Sequence, residues 1–213
     1  DYVYGSFVQS KMYRHGVACK DCHKPHSNEQ KIQGNQLCLQ CHDTKKYDVA
    51  THHFHGKEST GSQCINCHMP GKYYMVNDFR RDHSLRIPRP DLTVKYGTPN
   101  ACNNCHQDQD AQWAAKAIEK HHGEKRLEHF SEVFLAAHDD PTESPRLYKL
   151  LADPLQSDLV KATSLWYLEA YPTEESFNWS LRLLKDKSPL VRVAAIRLLA
   201  SFQHPQVKKH LWP

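Results

Sequence analysis

All eight cysteines in this chain fall into four copies of one five-residue pattern. The copies are Cys19-Lys20-Asp21-Cys22-His23, Cys38-Leu39-Gln40-Cys41-His42, Cys64-Ile65-Asn66-Cys67-His68 and Cys102-Asn103-Asn104-Cys105-His106. Two cysteines per copy exhaust the count, so none is left for a disulfide or another site. No other feature constrains the fold as strongly, because Cys-x-x-Cys-His is the attachment signature of c-type haem. The spacing has a chemical reason: two thiols form thioethers to the vinyl groups of a porphyrin, and the adjacent histidine reaches the iron from the same side. The pattern predicts four covalently attached haem c groups, each held by its two cysteines and its histidine.

Other cysteine chemistries fit less well. Zinc sites also use Cys-x-x-Cys pairs, but they close a tetrahedron with further cysteines or spaced histidines. Zinc gives no reason for a histidine directly after the second cysteine in all four copies. A thioredoxin-like redox pair predicts one motif beside a βαβ pattern. Disulfides between cysteines three apart, four times over, would be strained.

The chain has 213 residues, and its hydrophobic content of 39% is thin for a conventional core. Mean hydropathy is −0.75. The first hundred residues are thinner still, rich in Lys, Asn, Gln, His and Gly. Such a segment struggles to offset its conformational entropy by burying apolar side chains. Each haem is a large apolar body around which a loop-rich chain can pack, so the N-terminal half is expected to need haem to fold. The net charge of +4 argues weakly for an acidic partner. Basic residues are scattered and no nucleic-acid reading motif is present. No run of eighteen apolar residues exists, so no transmembrane segment is expected. Haem attachment takes place outside the bacterial cytoplasm, so a chain beginning at Asp1 with no signal peptide reads as a mature or trimmed product, periplasmic or extracellular.

The expected fold is mainly α with extensive loops, in two domains. Residues 1–109 form a loop-rich tetrahaem cytochrome c domain, and residues 110–213 a helical one. Asp110 is a candidate N-cap for a helix through Ala114 and Ala117 that Gly123 would end. Further on, Ser157 to Tyr171 (SDLVKATSLWYLEAY) repeats at a 31-residue offset as Ser188 to Phe202 (SPLVRVAAIRLLASF). In the second copy Val191, Ala195, Leu198, Leu199 and Phe202 make one helical stripe. Helical segments near 144–152 and 174–186 precede the copies, so each unit reads as a HEAT-like helix pair, with an ordinary bundle as the alternative.

The motif ligands are His23, His42, His68 and His106. Four low-spin irons need four distal ligands, with His or Met the usual choice. His26 lies too close to His23 to reach the opposite face of the same haem, and is expected to ligate a neighbour. His52, His53 and His55 are expected to supply two ligands. Either His53 and His55 share one face of an extended segment, or His52 serves a second haem beside its neighbour. His83 is the fourth candidate and His15 the spare. Met12 and Met75 are weaker candidates, and Met69 follows a motif histidine too closely. His121, His122, His129, His138, His204 and His210 lie on helical segments and read as structural or surface residues.

Tyr4-Gly5-Ser6-Phe7, Ser10-Lys11-Met12-Tyr13, Pro25-His26-Ser27, His52-His53-x-His55, Cys67-His68-Met69-Pro70, Arg81-Asp82-His83-Ser84 and Gly97-Thr98-Pro99-Asn100-Ala101-Cys102 carry a further signal. Together they resemble bacterial multihaem c-type cytochromes that append HEAT or tetratricopeptide-like helical repeats. The Gly16-Val17-Ala18-Cys19-Lys20-Asp21-Cys22-His23 stretch is distantly similar to the haem region of the cytochrome c nitrite reductase and hydroxylamine oxidoreductase superfamily. The resemblance implies an exported electron-transfer protein. It also implies further haem motifs upstream of the Tyr4-Gly5-Ser6 segment, which lies at the start of this chain, so a fragment, a processed product and a shortened relative all stay open. Nitrite reductases often use lysine as proximal ligand, and no Cys-x-x-Cys-Lys occurs here.

Electron relay through bis-histidine haems is the leading expectation, with no catalytic residues. The partners would be redox proteins or copies of this chain, including an extracellular filament in which a distal histidine comes from the next subunit. The alternative is an oxidoreductase reducing a small nitrogen or sulfur oxyanion at an open haem, with Arg80, Arg81, Arg86 and Arg89 supplying positive charge near His83. A scaffold dominated by its repeats is weaker, because a scaffold has no use for four haems.

Overall fold

The computed structural model describes residues 3–202 and residue 207. His204, His210 and the terminal Trp212-Pro213 lie outside the described residues. The chain divides into two compact units, Asp1–Lys125 and Arg126–Pro213. It is mainly helical with extensive loops, as the residue patterning led one to expect.

The first unit is built from short pieces: α1 Val3–Phe7, α2 Lys11–Arg14, α3 Cys19–Cys22, α4 Gln36–Leu39, α5 Thr44–Tyr47, α6 Ala50–His53 and α7 Cys64–His68. A hairpin follows, β1 Gly71–Tyr74 and β2 Asp78–Arg81, then α8 Pro90–Tyr96 and α9 Ala111–His122. Helices of four or five residues are single turns, too short to offset the cost of nucleation, so each depends on what it packs against. The hairpin is antiparallel, with Gly71 opposite Arg81 and Tyr74 opposite Asp78. No turn signal announces it, because the turn runs through Met75 (φ 47°) and Val76 (φ 74°) rather than glycine. Arg81 fixes the hairpin's base: its guanidinium donates to the carbonyls of Ile65 (3.2 Å) and Met69 (3.1 Å) and to Asn66 Oδ1 (3.1 Å), all on or beside α7. α9 starts and stops where its caps dictate. The Asp110 carboxylate accepts from Trp113 N at 2.7 Å, and Gly123 ends the helix with φ +81°. α9 packs on α8, within the first unit.

The second unit holds α10 Phe130–Asp139, α11 Pro145–Ala152, α12 Asp158–Leu168, α13 Glu174–Leu183 and α14 Pro189–Ser201. Its core contains Val133, Leu147, Val160, Leu165, Leu168, Val191, Leu198 and Leu199, each at most 1% exposed. Complete burial of one such side chain contributes about 1.5–3 kcal/mol. The two sequence copies are α12 and α14, and these two helices pack on each other most extensively. Val160 and Val191 are buried alike, as are Leu168 and Leu199. Leu165 is fully buried while its counterpart Ile196 is 43% exposed, so the copies present different faces midway along.

Candidate haem-binding site

Three of the four motifs sit on a helical turn: α3, α7 and a 3-10 turn at Cys102–Asn104. The remaining motif begins in the last turn of α4. A helical turn brings residues three apart onto one face, which is what two thioethers to one porphyrin need. The Asp21 carboxylate closes the α3 turn by accepting from Ala18 N at 2.8 Å.

Opposite three of the motif histidines stands a second imidazole. The ring centroids of His23 and His83 are 6.3 Å apart, those of His68 and His52 6.3 Å, and those of His106 and His55 6.0 Å. A nitrogen-bound imidazole puts its centroid roughly 3 Å from the metal, so two axial imidazoles stand about 6 Å apart. The residues therefore fit a six-coordinate haem iron.

Hydrogen bonds prepare several of these rings. The Nδ1–H groups of His23, His68 and His83 donate to the carbonyls of Asn28 (2.9 Å), Arg86 (2.8 Å) and Arg81 (3.0 Å). His55 Nδ1 donates to the His53 carbonyl. A carbonyl at Nδ1 places the proton there and leaves the Nε2 lone pair free for a metal. His53 has the opposite arrangement: its Nδ1 accepts from the His55 backbone N–H at 3.2 Å, which puts its own proton on Nε2. Of the three clustered histidines the structure thus presents His52 and His55 to motif histidines and turns His53 to a supporting role. Burial, with His68, His122 and His53 beside it, pulls the His52 pKa down, which favours the neutral ring that binds iron.

Successive motifs lie side by side. A hydrogen bond between the Cys38 and Cys64 side chains, with burial adding to it, pushes the Cys38 thiol well up, and the same bond brings Cys64 down to about 7 against the opposing effect of burial. Burial raises the Cys22 thiol, with Asp21 and then Cys41 adding to it. Burial likewise raises Cys67, beside Cys102 and Cys105. Motif one therefore neighbours motif two, two neighbours three, and three neighbours four. Asn35 bolts the second junction together: its Nδ2 donates to Asp48 Oδ1 (2.8 Å) and the Ser62 carbonyl (2.9 Å), and its Oδ1 accepts from Cys64 N at 2.9 Å.

The ring beside His42 is Tyr47, with centroids 5.5 Å apart, and no second imidazole stands there among the described residues. His26 sits in the exposed turn after the first motif, and neither it nor His15 is drawn against a motif histidine. Several residues of the site escaped the sequence reading. Asn35 and Arg81 each bond two backbone groups besides one side chain, and no spacing rule signals that. A side-chain carbon at Gly61 would overlap the His55 ring. Trp113 packs on His106 at 4.8 Å. His121 stacks on Phe54 at 3.8 Å and His122 lies 6.0 Å from His52, so both adjoin the histidine cluster.

A family profile described as the doubled CXXCH motif matches residues 12–47, the first two motifs. No curated protein and no solved structure matches the chain. The match supports a multihaem c-type cytochrome. The doubled motif indicates covalent haem c binding, and with it export from the cytoplasm, where this attachment does not take place. No helix among the described residues is long and apolar enough to cross a membrane.

Proposed function

We propose that this chain is an electron relay that carries four haem c groups in a row following motif order. The observation that carries this reading is the set of three facing imidazole pairs at 6.0–6.3 Å. His23 with His83, His68 with His52, and His106 with His55 hold three irons; His42 holds the fourth, with His26 as its distal ligand. Cys41 is near enough to raise the Cys22 thiol, and His26, three residues past His23, cannot reach the far face of its own haem, which favours it for the neighbouring iron. The haems supply one-electron ferric–ferrous chemistry. The protein's own residues hold the imidazoles neutral and oriented, and space successive motifs closely. Two axial imidazoles per iron hold potentials low and leave no position for substrate.

The helices of the second unit form HEAT-like pairs that dock a redox partner or a further copy of the chain. Exposed Trp166 (60%) on α12 and Val193 (55%) on α14 support that role. The enzyme reading has less support. Arg80 pairs with Asp78, Arg81 is committed to α7, Arg86 Nε donates to Ser84 Oγ at 2.9 Å, and Arg89 pairs with Asp91 at 2.6 Å. His83, beside them, faces His23 rather than an open position.

The test is intact mass together with low-temperature EPR of the oxidised protein. Four haem additions and only low-spin ferric signals, unmoved by nitrite or cyanide, are expected. A high-spin signal that shifts on adding either ligand would replace the relay with the enzyme.

A further inference from the structure

The histidines assigned above are oriented in two different ways. His23, His55, His68 and His83 each have Nδ1 on a backbone carbonyl. His42, His52 and His106 have no such bond among the described residues, and each instead has an aromatic side chain against it. For His106 that ring is Trp113. For both His42 and His52 it is Tyr47, with centroids 5.5 Å and 5.4 Å away and ring planes at 84° and 89°.

Edge-to-face contact is the favoured arrangement of two aromatic rings, and it resists rotation of either one about its own bond. Tyr47 makes two such contacts, one on each side. Its own position is well determined. It is the last residue of α5, whose first turn is capped by Asp43, and the next residue, Asp48, accepts from Asn35 at 2.8 Å. The Lys46 ammonium lies 5.1 Å from its ring centroid.

We propose that Tyr47 is a positioning residue that sets the ring planes of His42 and His52 together, and so couples the iron held by the second motif to the iron held by the third. The inference rests on the haem assignment above. The plane of an axial imidazole determines how the iron d orbitals split, which EPR and the reduction potential both read. A single ring clamped between ligands of two sites links their geometries in a way that separate carbonyl bonds do not.

The experiment uses the full haem-loaded chain. Tyr47→Ala is expected to shift two low-spin EPR signals, the same two that move in His42→Met and in His52→Met. Tyr47→Phe keeps the ring and is expected to leave both in place. Tyr47→Leu fills the space without a ring edge and should behave as alanine does, which covers an alanine variant that fails to fold. Trp113→Ala should move only the signal of the His106 site. The proposal falls if Tyr47→Ala or Tyr47→Leu moves one signal or none, or if Tyr47→Phe moves both as far as alanine does. Mass analysis separates this from the parent reading. Haem missing from the second or third motif of the unaltered protein would sink the relay itself, whereas full loading with unmoved signals would sink only the role of Tyr47.

Discussion

Residues 126–213 hold sixteen of the buried apolar residues in the described chain, and the longer stretch before them holds four: Phe7, Leu92, Ala101 and Ala114. The two regions thus solve the folding problem by different means. In the second unit, helices of eight to thirteen residues bury leucine and valine stripes against one another. In the first, single helical turns are tied by polar contacts such as those of Asn35 and Arg81, and a large apolar body must come from elsewhere. The same chain thus contains a region whose stability is written in its side chains and one whose sparse apolar core predicts that its stability waits on a cofactor.

The most severe way to break this comparison is to withhold the haem. With the motif cysteines replaced by serine, the first unit is expected to lose its protection from proteolysis altogether. Residues 126–213 should still give a cooperative helical melt by circular dichroism. Equal collapse of both regions would show that the second unit is not self-sufficient. Next in size is a cut into the leucine core. Leu165→Ala removes a fully buried side chain and should cost about 2–5 kcal/mol in the second unit. Chemical denaturation would measure it, and the haem absorption bands should not change.

In the first unit the matching lesion is an addition rather than a deletion. A methyl group at Gly61 would overlap the His55 imidazole. Gly61→Ala should therefore displace the distal ligand of the His106 site and turn one low-spin EPR signal high-spin. Helix content should stay nearly constant. A variant with all signals intact would mean that His55 does not ligate.

How much of this was readable in advance follows from how far apart the interacting residues are. The motifs were legible because their chemistry is contained in five contiguous residues. The helix over 111–122 was legible because its caps, Asp110 and Gly123, adjoin it, and the 31-residue repeat because α12 and α14 keep their buried stripes. The hairpin was not, since its turn uses positive φ at a methionine and a valine. Nor did spacing decide among His52, His53 and His55. That choice depends on which nitrogen of each ring meets a backbone group, and on motif histidines far along the chain, His106 for His55. Gly61 and Tyr47 gave no signal at all, because their roles exist only once distant rings are placed beside them.

The smallest expected effect compares two helix caps of the same kind. In the second unit Ser157 Oγ accepts from Val160 N at 3.3 Å at the start of α12. In the first, the Asp110 carboxylate does the same for Trp113 N at the start of α9. Removing a cap costs about 1 kcal/mol. Ser157→Ala should appear as that loss in the unfolding midpoint of the second unit and nowhere else. Asp110→Ala loosens the first turn of α9, which carries Trp113 against His106. In a region held by covalent haem its mark should be spectroscopic, a shift of the His106 signal with little change in melting. If Asp110→Ala instead lowers the melting temperature as much as Ser157→Ala and leaves the signal alone, the first unit draws its stability from its helices as the second does, and the contrast between them dissolves.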